Sequence, residues 1–98
     1  MGERKRKYAK LGYNEEIITN ALRTSDPLEQ IRVQPYSRDG VAGYAIEVTR
    51  EIFGEEYSYH GWISMQAFKL EPWPVDQRHM IDRAFVAALQ DVIKEKGN

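Results

Sequence analysis

Two histidines, His60 and His79, are the side chains best suited to proton transfer or metal ligation near neutral pH. His79 has Asp76 three residues before it and Asp82 three residues after, the spacing of neighbours on one helix face. A histidine between two carboxylates could hold a divalent ion if His60 were brought alongside. Asp76 is also well placed to cap a helix, and the group reads as a solvated helix surface, so no metal site is assigned. Ser58, His60 and Ser64 share one parity along a strand, which sets Ser58 beside His60. A serine nucleophile needs an oxyanion site and an orienting group as well, and no motif supplies them. Glu15-Glu16 and Glu55-Glu56 fall in a helix turn and a hairpin, where carboxylates are solvated alike, whereas acid–base pairs need unequal burial. The glycines form no phosphate-binding loop. With no cysteine, thiol catalysis, thiolate metal sites and disulfides are excluded. The expectation is a protein with no catalytic residues, metal or cofactor.

The elements that would position these residues follow from hydrophobic period. Asn14 is a candidate N-cap, Glu15 and Glu16 suit the first turn, and Ile17, Ile18, Ala21 and Leu22 recur at helical spacing. Pro27 closes this element, giving a helix over 14–24. Ile31 and Val33 alternate with Arg32 and Gln34, predicting a strand over 29–36 with Pro35 at an edge or an end. Ser37-Arg38-Asp39-Gly40 is a turn signal. Tyr44, Ile46, Val48 and Ile52 share one parity, broken by Arg50, where the sheet is expected to emerge into water or bend. After the reversal at Phe53-Gly54-Glu55, Tyr57, Tyr59, Ile63 and Met65 continue one face, with Ser58, His60, Trp62 and Ser64 opposite. Residues 66–74 form a connection, with Glu71-Pro72-Trp73-Pro74 expected to be extended and Trp73 to plug the core or stand out as a recognition residue. Asp76 then opens a last helix ending near Gly97, with Ile81, Phe85, Leu89 and Val92 on its buried stripe. The fold class is α+β. One small domain over 11–98, ordered helix, three-stranded antiparallel meander, helix, packs both helices on one sheet face.

The 98 residues are 42% hydrophobic and 30% charged, enough for a single core. No apolar run approaches the ~18–20 residues needed to cross a membrane and no hydrophobic leader opens the chain, so a cytoplasmic protein without membrane contact is expected. Charge is unevenly placed. Arg4, Lys5, Arg6, Lys7 and Lys10 stand against Glu3 alone in residues 1–10, a net of +4. The other 88 residues hold nine cations and 14 anions, a net of −5. A basic arm on an acidic body is one way to release counterions from phosphates. The element order resembles that of double-stranded RNA-binding domains, whose final helix opens on a lysine cluster that reaches the phosphates. The corresponding stretch here reads Val75-Asp76-Gln77-Arg78-His79, so that family's RNA-binding residues are not carried over.

Tyrosine and tryptophan are favoured interface anchors, and six Tyr with two Trp exceed what a core of this size readily buries. A three-stranded sheet also leaves two edges that can pair with another chain. The leading expectation is a small non-enzymatic protein–protein interaction module, comparable in size to bacterial or phage regulators and inhibitors, able to form a homodimer through its sheet. Trp62, His60, Phe53 and Trp73 are its candidate partner-binding residues, with Trp62 facing outward beside His60 and Phe53 nearby. The alternative is a nucleic-acid-binding domain using Arg4, Lys5, Arg6, Lys7 and Lys10.

Overall fold

Two short turns with positive φ build the sheet. Asp39 and Gly40 both adopt positive φ (52° and 79°), and Arg38 and Val41 on either side exchange backbone bonds of 2.9 Å. This is the Asp-Gly hairpin turn whose twist matches that of the strands it joins. Phe53 and Gly54 repeat the geometry at φ 51° and 82°. The computed structural model describes residues 12–70 and 73–97. The basic arm over 1–10 and the extended geometry expected at Glu71 and Pro72 therefore lie outside the described residues.

The chain runs through α1 (Tyr13–Leu22), β1 (Gln30–Pro35), β2 (Gly43–Ile52), β3 (Glu55–Ser64), the short helix α2 (Met65–Phe68) and α3 (Trp73–Gly97). The sheet is antiparallel in the order β1-β2-β3. This is the α+β meander with flanking helices that the hydrophobic period predicts. Ile18 and Leu22 of α1, Tyr44, Ile46 and Val48 of β2, Ile63 of β3, and Ile81 and Phe85 of α3 form one buried cluster. The helices therefore cover the face of odd β3 residues and even β2 residues, and among the described residues no helix packs on the other face.

Several local expectations are corrected. Asn14 is not the cap of α1. Gly12 takes that position at φ 70° with no side-chain cap, and Asn14 lies inside the helix, donating to the Tyr44 hydroxyl at 2.8 Å. Of the four-residue apolar stripe on α1 only Ile18 and Leu22 are buried, and the helix ends at Leu22, well before Pro27. Arg50 neither bends the sheet nor emerges from it. Its pairing with Tyr57 keeps the ladder intact, while its guanidinium meets Asp26 at 3.2 Å and lies 5.3 Å from the Phe85 ring centroid. A strand residue on the core face can carry a charge when its long stem packs and its head finds carboxylates.

The connection after β3 also holds more structure than its residues suggest. Ser64 caps α2, its Oγ accepting from the Ala67 N–H at 3.0 Å, so Met65 belongs to a helix and not to the strand. α3 begins at Trp73, three residues before Asp76, because proline is tolerated in a helix's first turn and Pro74 falls there. Trp73 and Pro74 are thus helical and not extended. Trp73 packs on Phe68, ring centroids 5.9 Å apart, and Phe68 on Tyr44, which makes Trp73 a plug over the core end. Gly97 lies within the helix and not beyond it. On the stripe of α3, Ile81, Phe85 and Val92 are buried as expected and Leu89 is not. Gln77 is buried too and donates to the Tyr59 hydroxyl at 2.9 Å, while burial pushes the Tyr59 pKa above its ordinary value.

Phe53 is a costly choice for its turn. A side chain in the left-handed region costs about 1–2 kcal/mol, and asparagine tolerates that region far better. Phe53→Asn is therefore expected to raise stability by about 1 kcal/mol, read as a higher urea midpoint with an unchanged slope. A lower midpoint would mean that the Phe53 ring, 60% exposed, gains more from its neighbours than its backbone loses.

Candidate interaction surface

The open face of the sheet is built from Gln30, Arg32 and Gln34 on β1, Ala45, Glu47 and Thr49 on β2, and Ser58, His60 and Trp62 on β3, all of one parity set by the register. Charges pair across the strands. Glu47 lies between Arg32 and His60, its carboxylate 3.6 Å from the guanidinium and 3.8 Å from the imidazole. Thr49 and Ser58 share a hydroxyl hydrogen bond of 3.1 Å. The Ser58 hydroxyl is thus engaged with a threonine, and the Ser–His contact that parity permits is not made.

Among the described strand residues, Trp62 is the one large aromatic on this face. It is half-buried, and its surroundings come from the β1–β2 loop and not from Phe68 or Trp73. The indole Nε1 donates to the Tyr36 carbonyl at 2.9 Å. The Arg38 guanidinium sits 5.5 Å from the ring centroid, within cation–π range. Gly43 lies against the ring edge. A Cβ there would overlap the Ile63 carbonyl oxygen and come within 2.5 Å of Cζ2, so glycine is needed both for the strand pairing and for the indole to lie on the sheet end. These contacts fix the ring, and Arg38 occupies surface that a stacking nucleobase would need. The chemistry on offer is a rigid aromatic with a guanidinium beside it and a polar, charge-paired field around it.

The structure brings together only two of the four candidate residues. Trp62 and His60 are two apart on β3, and the His60 side chain is 71% exposed. Phe53 is not near them. It occupies the hairpin tip, eight residues along β2 from Ala45, the ladder partner of Trp62, a separation of about 26 Å at the usual strand rise. Trp73 lies on the helix side of the sheet. Of the residues that hold the indole, the sequence marks Arg38 only as part of a turn, and it gives Tyr36 no role. A glycine opening a strand beside aromatics signals close approach, and Gly43 carried that signal.

Around His79 no site forms. Asp82 is engaged by Arg78 at 2.7 Å, and among the described residues no group of three or more His, Asp and Glu side chains converges to hold a metal ion. Arg78 stands where the double-stranded RNA-binding domains carry lysines, and it is fully occupied. It forms two bonds to Glu29 at 2.8 and 2.7 Å, two to Asp82 at 3.1 and 2.7 Å, and one to the Leu22 carbonyl. Hydrogen bonding to Glu29 raises its pKa further, more than burial lowers it. Among the described residues, no helix is long and apolar enough to cross a membrane. No protein family, curated protein or solved structure matches the chain.

Proposed function

We propose that this protein is a non-enzymatic interaction module that binds a protein partner through the open sheet face, with Trp62 as anchor and His60 beside it. The observation that carries this reading is the fixed indole on a face that, among the described residues, no helix covers. Trp62 is held by Tyr36, Arg38 and Gly43, so ordering it on binding costs little. Tryptophan and arginine together are the residue types that dominate binding hot spots, and the charge-paired row of Arg32, Glu47 and His60 offers polar contacts around them.

Phe53 and Trp73 have no part in this surface. The nucleic-acid alternative, resting on Arg4, Lys5, Arg6, Lys7 and Lys10, is separated from it by one experiment. Wild type and Trp62→Ala are used as bait in a native lysate, with and without nuclease, after both are shown to be folded. The partner is expected to survive nuclease and to bind Trp62→Ala about 30-fold more weakly, the loss of a hot spot worth 2 kcal/mol. Capture that disappears with nuclease would transfer the function to the arm. Equal capture by both baits would remove Trp62 from the interface.

A further inference from the structure

We infer that β3 pairs edge to edge with β3 of a second copy of this chain, antiparallel about His60, to give a two-fold dimer with one continuous six-stranded sheet. This goes beyond the Trp62 reading and does not depend on it.

Ile52 and Glu55 flank the two-residue turn and form its hydrogen-bonded pair, so bonded pairs recur at alternate positions, Arg50 with Tyr57, Val48 with Tyr59 and Ile46 with Gly61. Tyr57, Tyr59 and Gly61 therefore turn their N–H and C=O groups to β2, and Ser58, His60 and Trp62 turn theirs outward. The other side of β2 agrees. The Tyr36 N–H donates to the Gly43 carbonyl at 2.9 Å, so the odd residues of β2 serve β1 and leave the even ones for β3. Among the described residues, the main neighbours of β3 are β2, α2 and α3. Both helices join the core cluster on the helix side, and no strand pairs with the outer edge.

This edge also lacks the usual guards. Strand edges are blunted by proline, lysine, bulges or shortness. Glu55–Ser64 has no proline, no lysine and an unbroken ladder of ten pairs. β1 at the other edge is shorter, with six residues, ends on Pro35 and is packed against α1.

The charge pattern of β3 accommodates a second copy in one direction only. Both carboxylates of β3, Glu55 and Glu56, sit at its start. Parallel in-register pairing would stack each on its own copy, which is destabilising. Antiparallel pairing about His60 puts Glu56 opposite Ser64, Ser58 opposite Trp62, Tyr57 opposite Ile63 and Tyr59 opposite Gly61, with no carboxylate facing another. It also keeps each side chain on its own face, so the helices of both copies lie on one side and the two Trp62 rings on the other.

One strand pair buries less than the ~800 Å² per partner of a standard interface, so the dimer is expected to be weak and to dissociate on dilution. The chain has no cysteine, so a single introduced thiol can cross-link only to another copy. Cα atoms of a hydrogen-bonded antiparallel pair lie ~5.5 Å apart, within disulfide reach. His60→Cys is expected to give covalent dimer under mild oxidation at about 100 µM protein, at least ~10-fold faster than Ser58→Cys, whose thiols are four residues out of register. Sedimentation of the wild type over the same range should show a dimer. His60→Pro, which removes an outward N–H and no bond to β2, should sediment as a monomer with β2 still paired. A wild type monomeric throughout, as when the edge awaits a foreign peptide, overturns the proposal. So does equal cross-linking of the two cysteine variants.

Discussion

Arg78→Ala is expected to cost about 3–5 kcal/mol, a large share of the 5–15 kcal/mol available to a domain of this size. The Glu29 side chain is only 2% exposed, and Arg78 meets both its oxygens at 2.8 and 2.7 Å. Removing the guanidinium leaves a carboxylate out of water with Arg50, 3.9 Å away, as its nearest cation, and Arg50 is already engaged by Asp26. The Leu22 carbonyl at the end of α1 loses its partner in the same step. Arg78 thus ties α3 to the end of α1 and to the residue before β1. Lysine should rescue little, because a point charge cannot satisfy Glu29 on two oxygens while also reaching Asp82 and Leu22. Asp82→Asn is the contrasting change. Asp82 is half exposed, so its loss should stay below about 1 kcal/mol. Urea unfolding of the three variants measures this, and a loss under 1 kcal/mol in Arg78→Ala would mean that Glu29 finds water or Arg50 without cost.

Arg78 also shows where sequence reading stops. The partner that buries it lies 49 residues away, and nothing local distinguishes it from the solvated residues of the same helix. Parity carried much further. Strand side chains alternate strictly, so the assignment of Tyr57, Tyr59 and Ile63 to the core and Ser58, His60 and Trp62 to the open face needed only one apolar residue to set the phase. What parity cannot supply is position along the strand relative to other loops. Phe53 and Trp62 looked like neighbours from composition, yet they lie at opposite ends of the hairpin, while Tyr36 and Arg38, distant in sequence, hold the indole. The caps failed for a related reason. Asn14 has an excellent capping side chain, but the tertiary bond to Tyr44 was the better use of it, and Gly12 took the bend.

The register of α3 has its own test in a pair of substitutions. Phe85→Ala is expected to cost about 3–5 kcal/mol through lost burial and the cavity that remains. Phe85 is 4% exposed, belongs to the core cluster with Ile46, Val48 and Ile81, and carries the Arg50 guanidinium on its ring. Its loss would therefore also loosen the residue that supports Asp26 and Glu29, so Phe85→Ala and Arg78→Ala should not add independently. Leu89 occupies the next turn on the expected stripe, one helical step beyond Phe85. A helix rotates 400° over four residues and not 360°, so a stripe of fixed four-residue steps drifts off the core face. At Leu89 the drift has brought the side chain to 37% exposure, on the rim of a shallow groove shared with Ile52 and Val86. Val92, three residues on, corrects the drift and is buried again. Leu89→Ala should therefore cost about 1 kcal/mol, well short of the 2–5 kcal/mol of a core leucine. Denaturant midpoints for the two variants decide it. Equal losses would mean that the groove closes over Leu89 in solution, and the exposed edge between α3 and the end of β2 would then be part of the core.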